Sequence, residues 1–262
     1  PLLPDLFPWA SESRGYLHDW VVEGDLLRFT TAFANSGAGH LELRGGAVLP
    51  NGNQQVFQRI FYDDGTFQDR LAGEFTYHSG HGHIHFDGYA VYSLRKYLPG
   101  GGIGDLVATG GKISFCLIDI TKYHSNAGAS RYNSCGQVQG VTAGWSDVYT
   151  RSLPDQWINI SLVPDGQYWL EVTIDPDHLL LESDSTNNTG RIPVTINRGG
   201  PTGGDRWEAN NSFAQATNFG RTSEFQEVGL SIHNSTDEDY FRVVAEEHGD
   251  FDVHVNFTHE LG

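Results

Sequence analysis

The sequence contains no methionine, only two cysteines, and only three lysines among its 262 residues. It also lacks any apolar run near the roughly 20 residues that a membrane-spanning helix needs, so we expect no membrane span. Positive charge is scarce, because 16 lysines and arginines are outnumbered by 33 aspartates and glutamates, giving a net charge of −17. Nucleic-acid binding needs the opposite balance, so this composition argues against a nucleic-acid partner and favours cationic ligands such as amines.

Helical periodicity is almost absent too. Short runs of β-favouring residues separated by turn residues recur instead, at Leu27–Phe33, Gln55–Tyr62, Ile84–Leu94, Lys112–Ile120, Trp157–Val163, Tyr168–Ile174, Gly190–Ile196 and Tyr240–Val244. This rhythm predicts an all-β protein, built as an antiparallel β-sandwich with long loops. Asp165-Gly166 predicts a hairpin turn between 160–163 and 168–172.

A glycine- and proline-rich segment divides the chain. Residues 199–204 read Gly-Gly-Pro-Thr-Gly-Gly and predict a linker between a first domain, 1–198, and a second, 205–262. Within the second domain, the segments Trp207–Gly220 and Asp237–Arg242 resemble the pre-peptidase C-terminal domain. That resemblance implies a small β-sandwich of the kind appended to secreted microbial hydrolases, here truncated.

The stretch richest in candidate metal ligands is Tyr77–Phe86, which reads Tyr-His-Ser-Gly-His-Gly-His-Ile-His-Phe. On a strand, alternate side chains share a face, so His81, His83 and His85 would point to one side. Three imidazoles there can bind copper, zinc, iron or nickel and leave a coordination position open, as catalytic sites do. His78 is expected to contact one of these histidines rather than to bind the metal itself. The alternative is a surface strand with solvated histidines.

Several further motifs, in order, resemble the lysyl oxidase family. The histidine stretch 78–85 is similar to the family's copper-binding segment, and Gly111–Asp119 to the segment that carries its cofactor lysine. Further similarity lies at Leu3-Pro4-Asp5-Leu6, Gln139–Val141, Gly144–Tyr149, Gln156–Ile160, Pro164–Tyr168 and Glu182–Asn188. The resemblance extends from about residue 3 to residue 197.

The resemblance implies a copper-dependent amine oxidase with a quinone made from its own side chains. In that family, copper and dioxygen oxidise a tyrosine to an ortho-quinone, and a lysine amine then adds to form lysine tyrosylquinone. The matching positions here are Tyr149 and Lys112, with the three histidines holding copper. Asp147 is the candidate base for the substrate α-proton. Taken alone, Lys112 could equally be a charge on a strand edge and Tyr149 a core aromatic.

The resemblance also implies a structural calcium site. Glu182, Asp184, Asn187 and Asn188 place four oxygen-bearing side chains within seven residues, a pattern that alone fits a polar turn equally well. By the family pattern, calcium is held here together with the side chain of Asp5 and the carbonyl of Leu6. The ion would join the N-terminal segment to the end of the domain.

The two cysteines, Cys116 and Cys135, fit one disulfide of a secreted protein or two reduced thiols. Cys116 matches a family cysteine and Cys135 matches one approximately, but the family partner of Cys135 corresponds to Gly80. A Cys116–Cys135 bridge would therefore be a pairing that departs from the family.

These observations favour a secreted, microbial, copper-dependent enzyme that oxidises primary amines, including lysine side chains of proteins, with dioxygen. Two other hypotheses remain open. One is a non-catalytic, metal-binding β-sandwich module of a large exported protein, and the other is a three-histidine hydrolase or oxygenase without a quinone. Carbonyl-reactive hydrazines would inhibit only the first.

Overall fold

The computed structural model describes residues 1–79, 82–198, 207, 210–222, 230, 238–246 and 252–254. The chain divides into two compact units, Pro1–Ile196 and Asn197–Gly262. The linker predicted at 199–204 lies outside the described residues, so its structure stays a prediction. No helix among the described residues combines the length and apolar character needed to cross a bilayer.

Strands dominate the first unit. In chain order they are β1 (Leu6–Pro8), β2 (Trp20–Glu23), β3 (Leu26–Phe29), β4 (Thr31–Asn35), β5 (Leu41–Val48), β6 (Gln54–Phe61), β7 (Phe67–His78), β8 (His83–Phe86), β9 (Ala90–Leu98), β10 (Gly102–Thr109), β11 (Thr121–Lys122), β12 (Val138–Val141), β13 (Trp145–Tyr149), β14 (Trp157–Asn159), β15 (Gly166–Ile174) and β16 (Thr189–Ile196). The helical segments among the described residues are two single 3₁₀ turns, Glu12–Arg14 and Pro99–Gly101.

These strands form four sheets, in the orders β1-β4-β13-β11, β10-β9-β15-β16, β12-β5-β6-β7-β8 and β14-β3-β2. Every strand pair described in this unit is antiparallel. The predicted all-β, antiparallel class is confirmed. Long connections, such as residues 123–137, run between the strands.

The core follows from the alternation of side chains along the strands. On β6, for example, Val56, Gln58 and Ile60 are buried while their neighbours are partly exposed. Strand β4 lies between β1 and β13 and is buried on both faces. Its Phe33 ring meets Phe115 edge-on at 5.3 Å between centroids, within a cluster of aromatic residues. Such edge-to-face pairs add about 0.5–1.5 kcal/mol beyond the apolar area they bury.

Several details of the strand prediction are wrong. The run 27–33 is two strands, because β3 and β4 lie in different sheets, and of the run 157–163 only β14 is a strand. Residues 112–120 form no strand, and an isolated bridge pairs Phe115 with Phe86. The run 84–94 is two strands, because a turn at Asp87–Tyr89 separates β8 from β9. The predicted hairpin at Asp165-Gly166 does not form, since β14 pairs with β3 while β15 pairs with β9 and β16.

A tight turn leads into β8 and sets the position of its histidines. The amide of Gly82 donates to the carbonyl of His78 at 2.9 Å, and Gly82 has a φ of 73°. A side chain would be strained in that left-handed conformation, which explains glycine at this position. Beyond the turn, His83 pairs with His78 across the β7–β8 ladder.

The second unit contains β17 (Thr217–Thr222) and β18 (Phe241–Ala245), which pair in parallel. The rings of Phe219 and Phe241 stack with centroids 5.6 Å apart. Much of 205–262 lies outside the described residues. The truncated pre-peptidase C-terminal sandwich therefore stays a prediction.

Candidate active site

The segment that carries Lys112 runs alongside β8. The amide of Phe115 donates to the carbonyl of Phe86 at 3.0 Å, and the amide of Phe86 donates back to the carbonyl of Phe115 at 2.7 Å. The buried side chain of Gln139, on β12, donates to the carbonyl of Ile84 at 2.9 Å. The Gln139 oxygen also accepts from the amide of Leu117 at 3.1 Å, so this side chain bridges the Lys112 segment and the histidine strand. These bonds hold the segment against the strand without making it part of a sheet.

A cavity of about 430 Å³ opens between this segment, β8 and β13. We call it the lysine–tyrosine pocket, and it is lined by His83, His85, Lys112, Cys116, Ile118, Ile120, Cys135, Asp147, Val148, Tyr149, Leu153 and Pro154. Its size is within the range of small-molecule sites, roughly 300–1,000 Å³. It brings together all the described residues predicted for copper binding and quinone chemistry.

Two of the three predicted copper ligands lie on β8 with their ring nitrogens close together. The Nε2 atoms of His83 and His85 are 3.0 Å apart, and the Nδ1 atom of His85 is 3.3 Å from the hydroxyl of Ser114. His78 stacks on the His85 ring at 5.1 Å between centroids. The third predicted ligand, His81, lies outside the described residues.

Lys112 and Tyr149 meet in the pocket although they are far apart in sequence. The ammonium nitrogen of Lys112 is 5.4 Å from the centre of the Tyr149 ring and 5.0 Å from that of Phe115. Phe115 meets Tyr149 edge-on at 5.0 Å, which supports the tyrosine from the side. Lys112 is buried, and this burial lowers the pKa of its amine. The neutral, nucleophilic form is therefore favoured more than in an exposed lysine.

Asp147 and Tyr149 are two residues apart on β13, so they share a face of the strand. The Tyr149 hydroxyl donates to the carbonyl of Cys116 at 2.5 Å. Burial raises the pKa of the Tyr149 phenol and also that of the Asp147 carboxyl. Asp147 is only 2% exposed and accepts a hydrogen bond from the amide of Val148 at 2.9 Å.

The disulfide between Cys116 and Cys135 is confirmed, with the two Cα atoms 5.3 Å apart. It joins the Lys112 segment to the long loop between β11 and β12, and both cysteines line the lysine–tyrosine pocket. A bridge of this kind contributes about 2–4 kcal/mol to stability. Its place beside the pocket also fixes the carbonyl that accepts the Tyr149 hydroxyl.

Most of the residues predicted for calcium form a second group, at the start and end of the first unit. We call Asp5, Glu182, Asn187 and Asn188 the carboxylate–amide cluster. The Asn187 amide donates to Asp5 at 2.8 Å, and the Asn188 amide donates to Glu182 at 2.6 Å. The backbone amide of Leu6 donates to the other Glu182 oxygen at 3.0 Å. These contacts join the N-terminal strand to residues about 180 positions later.

Two side-chain oxygens of the cluster are unsatisfied within the described part of the chain. The side-chain oxygens of Asn187 and Asn188 are buried and have no hydrogen-bond partner among the described residues. Burial raises the pKa of Glu182 to about 6. Asp184, in contrast, is exposed and accepts hydrogen bonds from the amide and hydroxyl of Thr186, 2.8 and 2.7 Å away. Four of the predicted side chains thus converge, while Asp184 caps the adjacent turn.

Several residues that contact the two candidate sites are not predicted by the sequence motifs. Ser114 contacts His85, Phe115 packs against Tyr149, and the Ser36 hydroxyl donates to Asp5 at 2.6 Å. Ser114 and Phe115 lie in the lysine motif itself, so that motif could have pointed to them. Nothing local in the sequence marks Ser36, because its role depends on the long-range pairing of β1 with β4.

Comparison with known proteins identifies the family. The lysyl oxidase family model matches residues 64–199. Lysyl oxidase homolog 1 of Homo sapiens is 39% identical over 127 residues, which cover 48% of this chain and 21% of that protein. Protein-lysine 6-oxidase of Homo sapiens is 35% identical over 122 residues, covering 45% and 27%. Lysyl oxidase homolog 3B of Danio rerio is 38% identical over 116 residues, covering 43% and 13%.

The chain thus spans less than a third of the length of these three relatives. The matched region begins at residue 64, so the N-terminal motif 3–6 lies outside it. It contains the histidine strand, Lys112, both cysteines, Tyr149 and the segment Glu182–Asn188. Because it covers more than half of the 262 residues, the chain belongs to the lysyl oxidase family.

Proposed function

We propose that this chain is a secreted copper-dependent amine oxidase. The reaction converts a primary amine, dioxygen and water into an aldehyde, ammonia and hydrogen peroxide. The observation that carries the proposal is the approach of the Lys112 nitrogen to within 5.4 Å of the Tyr149 ring, in the same cavity as His83 and His85. The lysyl oxidase family membership supports it independently.

The two histidines of β8 fit a copper ion. Metal–nitrogen bonds of about 2.0–2.1 Å place two ligand nitrogens roughly 2.9–3.4 Å apart on one ion. The separation of 3.0 Å between the Nε2 atoms of His83 and His85 meets this requirement. His81, two residues before His83 in the sequence, is the proposed third ligand. Copper would supply the one-electron and oxygen chemistry that oxidises the Tyr149 ring.

Lys112 and Tyr149 would together form lysine tyrosylquinone, which supplies the carbonyl that reacts with the substrate amine. Adding the lysine amine to an oxidised ring requires a neutral nitrogen, and burial favours that form of Lys112. The flexible four-carbon side chain of lysine can rotate to close the remaining gap. Phe115 and the Cys116 carbonyl hold the Tyr149 ring in place meanwhile.

Asp147 is the proposed base that removes the α-proton of the bound amine. It lies on the same face of β13 as Tyr149 and lines the same cavity. Burial raises the pKa of its carboxyl, which makes the carboxylate a stronger base than an exposed aspartate. Burial by itself favours the protonated acid, so the proposed base is the ionised fraction of Asp147, which would accept the α-proton.

The pocket walls suit an amine on a hydrocarbon chain. Ile118, Ile120, Val148, Leu153 and Pro154 give the lining its apolar character. They would contact the methylene groups of an alkylamine or of a lysine side chain in a protein. The net charge of −17 would attract such cations towards the molecule. The disulfide supports secretion, because such bonds persist in oxidising compartments.

The test is peptide mass spectrometry on the full chain after copper loading in air. We expect a crosslinked peptide that contains Lys112 and Tyr149, with the mass of the quinone, and a coloured adduct with phenylhydrazine. The Tyr97→Phe variant is a control that should still form the crosslink, since Tyr97 stacks on Trp169 and does not line the pocket. Copper-replete protein that yields both peptides unmodified would refute the proposal. A non-catalytic metal-binding module would then be the better description.

We also propose that the carboxylate–amide cluster binds calcium. The buried, unpartnered oxygens of Asn187 and Asn188 support this, because calcium prefers carboxylate and amide oxygens. A half-turn of the Asn187 amide would exchange its nitrogen for its oxygen, which would then face Asp5, while the Asn188 nitrogen stays on the carbonyl of Ile174 and on Glu182. That arrangement needs a cation between the oxygens. The carbonyl of Leu6 and the side chain of Asp184 are the further proposed ligands.

A further inference from the structure

One wall of the lysine–tyrosine pocket brings a second set of metal-binding atoms together. The sulfur atoms of Cys116 and Cys135 and a ring nitrogen of His83 all lie within 4.8 Å of one another. While the disulfide is intact, neither sulfur is a thiolate and the set cannot bind a metal. Reduction would change this, because two thiolates and one imidazole are a ligand set that zinc uses with a water in the fourth position.

We propose that reduction of the Cys116–Cys135 disulfide creates a zinc site formed by the two thiolates and His83. A dithiol supplies the two electrons and two protons, so the protein disulfide becomes two thiols and the dithiol becomes a disulfide. Zinc binding then releases the two thiol protons to solvent. The site is separate from the calcium cluster and differs in ligand type from the copper site.

The distances require only a small rearrangement. Zinc–sulfur bonds of about 2.3 Å and zinc–nitrogen bonds of about 2.0–2.1 Å place tetrahedral ligands roughly 3.5–3.8 Å apart. The three ligand atoms already lie within 4.8 Å of one another. The sulfur atoms must therefore separate by less than 2 Å from their bonded distance, which is about 2.0 Å in any disulfide.

One of the two cysteines can make that movement. Cys116 is buried, and its carbonyl is fixed by the Tyr149 hydroxyl. Cys135 lies in the loop between β11 and β12, is half-buried, and is flanked by the exposed residues Ser134 and Gly136. We therefore expect Cys135 to move while Cys116 and His83 keep their places.

The site would control the proposed copper site, because His83 belongs to both ligand sets. Zinc held by the thiolates would withdraw His83 from copper, and a reduced chain loaded with zinc should take up less copper than an oxidised one. This consequence rests on the proposed function, whereas zinc binding itself does not. The two can therefore fail separately.

The test uses the full chain, free of copper, reduced with dithiothreitol and then freed of reductant under anaerobic conditions. Cobalt(II) is the probe, because thiolate–cobalt bonds give a charge-transfer absorption that histidine–cobalt bonds do not. We expect one equivalent of cobalt to produce this absorption in the reduced protein and none in the oxidised protein. Added zinc should abolish it by displacing cobalt.

Three variants localise the site. Cys135→Ser should lose most of the absorption, and His83→Ala should weaken cobalt binding by roughly tenfold or more. His124→Ala is the matched control, because His124 is exposed and does not line the pocket. Circular dichroism in the aromatic region reports whether each reduced protein keeps its fold.

Two results would overturn the proposal. One is reduced, folded protein with two titratable thiols and no charge-transfer absorption. The other is an absorption that His83→Ala leaves unchanged. If reduction alone unfolds the domain, the proposal also fails, because the site requires the folded arrangement of the two segments. Should Cys135→Ser not fold, Cys135→His keeps a metal ligand at this position and should give cobalt binding with about half the sulfur absorption.

Discussion

The lysine–tyrosine pocket and the carboxylate–amide cluster use buried polar groups in opposite ways. In the cluster, Asp5, Glu182 and their amide partners lie within hydrogen-bond distance of each other. In the pocket, the Lys112 nitrogen is 5.4 Å from the Tyr149 ring, and the surrounding walls are apolar. The cluster joins distant parts of the chain, whereas burial in the pocket favours the neutral forms of an amine and a carboxyl at some cost in stability.

This comparison predicts that changes in the pocket abolish chemistry and that changes in the cluster reduce stability. The largest expected effect is that of Lys112→Met, which removes the amine but keeps a side chain of similar length. We expect no crosslinked peptide and no amine oxidation above background. Because burial disfavours the charged form of this lysine, the thermal midpoint should stay the same or rise.

Lys96→Met is the matched control for that prediction. Lys96 is exposed on β9, so its replacement should leave both the crosslink and the activity intact. Mass spectrometry, an oxygen-consumption assay and a thermal scan are run on both variants. A quinone crosslink that survives Lys112→Met would show that another amine serves the site.

The next largest effect is expected from His85→Ala. His85 is 2% exposed, and its Nε2 atom is 3.0 Å from that of His83, so it belongs to the interior of the proposed copper site. Copper content, measured by elemental analysis after dialysis, should fall from about one equivalent to a small fraction, and the crosslink should not form. The exposed His124 again provides a control, because His124→Ala should keep full copper content.

The fold class and the candidate site were predicted from different features of the sequence, and of the two only the fold class is confirmed. Strand periodicity is local, so it predicted the all-β class and runs such as β6 and β16 well. It was wrong for residues 112–120, where a segment rich in β-favouring side chains is held by the reciprocal bonds between Phe115 and Phe86 and by the side chain of Gln139. Composition cannot distinguish these cases, because both bury large apolar side chains such as Phe115 and Leu117.

The site residues were found through motif resemblance, which places residues in order but not in space. It could not predict that the Cys116 carbonyl accepts the Tyr149 hydroxyl, or that Ser36 donates to Asp5. Both contacts depend on long-range packing of segments that are about 30 residues apart in the sequence. The proximity of the two histidines of β8 was more accessible to prediction, because alternation along one strand is sufficient to bring His83 and His85 together.

Loss of calcium from the carboxylate–amide cluster should lower the stability of the protein, whereas loss of copper from the pocket should abolish its chemistry. Chelation of calcium, or Glu182→Gln, should lower the thermal midpoint, since each removes a link between the N-terminal strand and the end of the domain. For a domain of this size, each 1 kcal/mol of lost stability lowers the midpoint by about 2–4 °C. Activity measured well below the midpoint should be retained.

Asp184→Asn distinguishes the cluster from its neighbouring turn. Asp184 is exposed and already bonded to Thr186, so we expect a smaller loss of calcium stabilisation than with Glu182→Gln. Differential scanning calorimetry of both variants, with about 1 mM calcium and with excess chelator, measures the calcium stabilisation. Extracellular calcium sites fill at about this calcium concentration. Equal midpoints with and without calcium in the unaltered chain would contradict the calcium proposal.

The smallest expected effect concerns pH and the Lys112 amine. Burial lowers its pKa, while Asp155 and Asp147 raise it by their charge. Crosslink formation after copper loading should therefore increase with pH and level off below the value of about 10.4 that is usual for lysine. Asp155→Asn removes one opposing charge, so the midpoint of this pH profile should move to lower pH.

The lowered pKa of Lys112 also makes the free energy of unfolding depend on pH. Because the folded-state pKa of Lys112 lies below its unfolded value, the unfolded chain binds more protons in the interval between them. The contribution of Lys112 to the free energy of unfolding therefore increases as pH rises through that interval. Lys112→Met removes this contribution, so the difference in stability between variant and parent should shrink from pH 8 to pH 10, as urea unfolding would measure. A difference that does not change with pH would mean that Lys112 titrates normally and that the pocket does not prepare its amine for reaction.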